Sequence, residues 1–129
     1  MEFLKKLAGE FNPSPEADHF GLITFHNKAN LVFNFNQYQN KAALLQKIAE
    51  EPIDLEGQTR TDLGLIKAKD ELFTEAGGDR PDKPDILFIF TDGKPTHPKK
   101  NFNFTAFFEE IAEDFKVSIC SAVQCCEVL

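Results

Sequence analysis

The sequence predicts an α/β fold, a sheet with helices on both faces. Three observations carry that prediction. Strand-length apolar runs alternate with segments of helical period. One run, Ile86 to Phe90, is apolar without a break, as in a strand buried on both faces. The chain has 129 residues, enough for one domain with a real core.

The elements follow in order. Phe3, Leu4, Leu7, Ala8 and Phe11 have the i, i+3, i+4 spacing of a helix burying one face, and Pro13 and Pro15 end it. Phe20 to Phe25 and Leu31 to Phe35 read as strands. The five residues between them suit a hairpin, so the pair is antiparallel. Lys41 to Glu50 is a short helix with Leu44, Leu45 and Ile48 on one face, stopped before Pro52.

Gly57-Gln58-Thr59-Arg60-Thr61 is a turn, and a helix follows from about Asp62 to Glu75, with Thr61 as its N-cap candidate. Residues 76 to 85 form a polar, Gly- and Pro-rich loop. The strand at Ile86 to Phe90 ends in Thr91-Asp92-Gly93. Phe104, Phe107, Phe108, Ile111, Ala112 and Phe115 then mark a strongly amphipathic helix, and Val117 to Val123 is the last strand.

Composition narrows the function. Fourteen Lys and Arg stand against 21 Asp and Glu, a net charge of −7 that argues against nucleic acid or an anionic membrane as partner. No run reaches the roughly 18 apolar residues of a membrane span. The first ten residues do not read as a signal peptide. Cys120, Cys125 and Cys126 match no zinc or redox spacing. Phosphate-binding glycine loops and nucleophile elbows are absent, so the chain does not read as an enzyme. The alternative is a Mg²⁺-dependent phosphoryl-transfer or hydrolase-type enzyme using Asp92.

Two polar clusters carry candidate chemistry. Asp92 sits where a buried strand exits, the edge at which α/β sheets bind ligands. Thr59 lies in the turn before a helix. A hard cation takes oxygen ligands, so Asp92 could supply charge and Thr59 a neutral oxygen. Each also has a plain structural reading, a turn for Asp-Gly and a cap for Thr. Gln58, Arg60 and Asp62 flank Thr59 and could touch a ligand or form a solvated face. His97 follows Asp92 in its loop. Lys94, Lys99 and Lys100 could meet an acidic partner or offset nearby acids.

GLITF, the hairpin to LVFNF, GQTRTDLGLIKAKDELF and ILFIFTDGKPT together resemble the von Willebrand factor A family over about residues 2 to 123. The resemblance implies a Rossmann-like, doubly wound, mostly parallel sheet with one antiparallel edge strand, and a metal-ion-dependent adhesion site. Thr59 and Asp92 match two of its segments, and Mg²⁺ or Mn²⁺ would be the ion. It further implies a module, extracellular in setting, that binds an acidic group of a protein ligand such as collagen or another matrix protein. A scaffold of the same fold acting inside cells without metal is the third reading.

The family's DxSxS motif does not occur here. By the register of the match it should lie upstream of Met1, with a central first strand, and the same register leaves out the sixth strand and last helix. Residues 1–129 thus read as a single, incomplete domain with weak or absent metal binding. The strands at Phe20–Phe25 and Ile86–Phe90 should either close up and pair, or leave open edges. Open edges would lower stability and favour self-association.

Overall fold

The computed structural model describes residues 2–52, 57–91, 94–113, 116–121 and 125–127. Helix α1 (Glu2–Gly9) leads to strands β1 (Leu22–Phe25) and β2 (Ala29–Phe33), then helix α2 (Lys41–Glu50). Helix α3 (Thr61–Lys67) continues as a π-helical turn, Ala68–Leu72. Strand β3 (Ile86–Thr91), helix α4 (Phe104–Ala112) and strands β4 (Lys116–Ser121) and β5 (Cys125–Glu127) complete the order. Among the described residues, no helix is long and apolar enough to cross a membrane.

The hairpin is antiparallel, as its loop length predicts, with Phe25 opposite Ala29 and Leu22 opposite Phe33. β3 and β4 run parallel from Ile86↔Lys116 to Thr91↔Ser121. β5 is a strand that the sequence reading did not foresee; it lies antiparallel to β4, with Cys125 opposite Cys120. Three residues are too short a stretch to show periodicity, so only the tertiary ladder reveals it.

β1 and β3 do not pair. The described strands form two sheets, β1–β2 and β3–β4–β5. Each sheet has its own apolar cluster. Around the hairpin, Ala8 of α1, Phe33 of β2 and Leu44 and Ile48 of α2 are buried, with Leu4, Phe20, Leu22, Val32, Tyr38 and Leu45 packed against them. Asn40 caps α2 by accepting the Ala43 N–H at 2.8 Å. Lys41 reaches back to the Gly9 carbonyl at 2.8 Å, a cation at the end of α1.

The second cluster joins Leu65 of α3, Ile89 of β3 and Ile111 of α4, with Phe25, Phe73, Leu87, Phe107 and Phe108 against it. Helix α3 therefore touches both sheets. Its Gly64 permits this, since a Cβ there would lie 2.9 Å from the Phe25 ring.

β3 departs from the expectation of burial on both faces. Leu87 and Ile89 face α3 and α4, but Ile86 is 48% exposed and Phe88 is 37% exposed. Apolar sequence prepared both faces, yet only one is packed among the described residues.

Candidate functional site

The site is built where three segments meet at one end of the strands. The Gly57–Asp62 turn enters on Gly57, whose φ of +96° suits a residue without Cβ. Its Gln58 N–H donates to Asn27 Oδ1 at 2.8 Å, and its Arg60 N–H to the His26 carbonyl at 3.0 Å. Both acceptors lie just past the end of β1. On the other side, the Thr59 N–H donates to Thr96 Oγ1 at 3.0 Å, and the Thr96 N–H returns to the Thr59 carbonyl at 2.9 Å. Thr96 belongs to the loop that leaves β3. The turn thus joins the loop after β1 to the loop after β3.

Asp92, the sequence candidate for the charged ligand, lies outside the described residues. Thr59 is half-buried on the rim and Gln58 is exposed. The other two flanking residues do not form a solvated face. Asp62 is buried and takes a bidentate pair from Arg60, Nε to Oδ1 at 3.0 Å and Nη2 to Oδ2 at 2.8 Å. Burial alone would raise the Asp62 pKa. The hydrogen bonds and charge of Arg60, with His97 and the Leu63 amide adding to them, hold it below the usual carboxylate range. The same pair raises Arg60.

His97 joins this network, its Nε2 lying 3.5 Å from Asp62 Oδ2. Its Nδ1 accepts the Lys99 N–H at 2.9 Å, which leaves the ring proton on Nε2, facing Asp62. The ring stacks on Phe102 with centroids 3.9 Å apart and planes 8° apart. The loop after β3 is therefore held at Thr96, His97 and Phe102.

Thr61 is not the N-cap. Arg60 occupies that position without a side-chain cap, and Thr61 is the first helical residue. Its hydroxyl is buried with no hydrogen-bond partner among the described residues. The bond from the Thr61 N–H to the Thr59 carbonyl, 2.9 Å, draws the turn tight and pulls Thr61 inward. Thr96, in contrast, was not singled out from the sequence. An exposed loop threonine carries no local signal, and its partner is 37 residues away.

A family model for the von Willebrand factor type A domain matches residues 1–119. The chain belongs to the von Willebrand factor A family. It is 33% identical over 97 residues to von Willebrand factor A domain-containing protein 1 of Mus musculus, covering 75% of this chain and 23% of that protein. It is 28% identical over 93 residues to integrin alpha-2 of Bos taurus, covering 71% of this chain and 8% of that one. The chain thus spans less than a quarter of the length of either relative. Among solved structures, proximal thread matrix protein 1 from the mussel byssus, in the form with a zinc-occupied MIDAS motif, superposes with a TM-score of 0.77 at 22% identity, over 93% of this chain and 31% of that one. That likeness shows the Rossmann-like α/β fold of the family.

The donor set meets a divalent ion's demand in part. Thr59 offers a neutral hydroxyl. The carboxylate of the same turn, Asp62, is taken up by Arg60. Among the described residues, no three His, Cys, Asp or Glu side chains gather as a metal group would require.

Proposed function

We propose that this von Willebrand factor A domain is a protein-interaction module whose contact surface is the rim formed by the Gly57–Asp62 turn and the loop after β3. The reciprocal Thr59–Thr96 hydrogen bonds carry this reading. They support a common rim for the two clusters that the family uses for ligand contact. Thr59 and Asp92 would hold Mg²⁺ or Mn²⁺, with water completing its shell, and an acidic group of a protein partner would take the open position. Gln58 and His97 border that position, while Arg60 and Asp62 support the turn beneath it. The mussel and integrin relatives favour an extracellular setting, in which collagen or another matrix protein would be the partner.

One hydroxyl and one carboxylate make a weak site. The expected dissociation constant for Mn²⁺ is on the order of 10⁻⁴ to 10⁻³ M, the range of weakly held hard cations. Isothermal titration of the wild type and Thr59→Val checks this. Weak binding that disappears in the variant supports the reading. Saturation in the low micromolar range, or binding indifferent to the substitution, refutes it.

A further inference from the structure

The rim carries its own positive charge, and this asks for a partner chemistry that does not depend on an ion. Three described segments form it: residues 26–30, 57–62 and 94–103. Together these described segments hold five permanently basic side chains, Lys28, Arg60, Lys94, Lys99 and Lys100, against one carboxylate, Asp62; Asp92, just before the third segment, lies outside the described residues. Asp62 is already paired with Arg60, so four lysines remain uncompensated within these segments. All four are exposed. From Lys94 to Phe108 no carboxylate occurs at all, in a chain whose net charge is −7.

The arrangement is built rather than loose. Lys28 sits in the β1–β2 turn, whose neighbour Asn27 receives the Gln58 N–H. Lys99 and Lys100 follow His97, which is stacked on Phe102 and bonded to the Lys99 amide. Asn101 turns the chain there with φ of 64°. Asn103 then accepts the Ala106 N–H at 3.0 Å and starts α4, whose first turn has no acidic residue. The lysines therefore flank the Thr59 turn from both sides, on anchored backbone.

We infer that this rim binds an acid-rich, extended protein segment through direct lysine–carboxylate contacts, independently of any divalent ion. The inference rests on the rim as contact surface but not on metal. Lysine suits the task, because its ammonium acts as a mobile point charge that can follow successive carboxylates along a strand. The rest of the acidic surface would repel such a segment and steer it to this one region.

The test is fluorescence anisotropy with labelled oligoglutamate, in EDTA and in Mg²⁺, at low and at physiological ionic strength. Wild-type chain is compared with the Lys99→Glu/Lys100→Glu double variant. Lys83→Glu serves as control, since it changes charge at the opposite end of β3. Circular dichroism confirms folding, and Lys94→Glu substitutes should the double variant fail to fold. The expected result is salt-sensitive binding that EDTA leaves intact, weakened about tenfold by the double reversal and little by Lys83→Glu. No binding, loss in EDTA, or equal loss in the control would overturn the inference. A failed Mn²⁺ titration would remove the ion and leave this result standing.

Discussion

The hairpin half and the β3 half of the molecule use the same kind of sequence and end in different surroundings. Phe33 of β2 lies between helices and is 1% exposed. Phe88 of β3 sits in an even more apolar strand and is 37% exposed. Around Phe33, α1 and α2 close over the sheet and Tyr38 meets its ring edge-on at 4.9 Å. Over Phe88, the described partner is Phe90, stacked at 6.3 Å. Burial was therefore decided by which elements arrive to cover a face and not by the hydrophobicity of the strand.

The sharpest way to test that contrast is one truncation made twice. Phe33→Ala should cost about 3–5 kcal/mol, the range for emptying a packed aromatic site. Phe88→Ala should cost about 1 kcal/mol or less, as at a partly solvated position. Urea unfolding of the two variants reads the difference directly. Equal losses would mean that the outer face of β3 is covered in solution.

A second contrast is electrostatic. Asp62, at the rim, is stabilised as an anion. Asp85, just before β3, is not. Asp62→Asn should cost about 2 kcal/mol at neutral pH, because it strips the partner from a largely buried guanidinium. The folded pKa of Asp62 is depressed, so its contribution is complete above the unfolded value of about 4. It is lost as pH falls through the folded value. The wild-type advantage should thus fade as pH falls below about 4.

Asp85 behaves in the opposite sense. Burial first, then the hydrogen bond and charge of Asp79, push its pKa up to about 6. A raised carboxylate is penalised when ionised, so wild-type stability should rise as pH drops from about 6 toward about 4. Asp85→Asn should be the more stable protein at about pH 8, with the gap closing over that same window. Chemical denaturation across pH would expose a reversed trend, which would contradict this account.

The sequence made some of this legible and hid the rest for identifiable reasons. The hairpin, α2 and α4 stand close to where periodicity and turn residues placed them, because side-chain period is a local property. The α3 segment was recognised as helical, but its π turn and the inward position of Thr61 were not. Both lie where this segment meets distant residues, Gly64 against the Phe25 ring and Phe73 against Phe35. Thr59 is marked out by its motif, whereas its backbone partner Thr96 comes only from the fold. Arg60 and Asp62 looked like solvated neighbours. Two residues of opposite charge two positions apart give no hint that a helix start will bury one beneath the other.

The order of elements from α1 to β4, the amphipathic stripe of α4 and the polar turn before α3 were written in the chain itself, since each needs only neighbours within a few residues. The two-sheet arrangement, the uncovered side of β3, and the gathering of lysines from a hairpin turn and a distant loop were settled by tertiary structure. Those features concern which surfaces meet across tens of residues. Contacts of that separation follow from global packing, and no local window of sequence contains them.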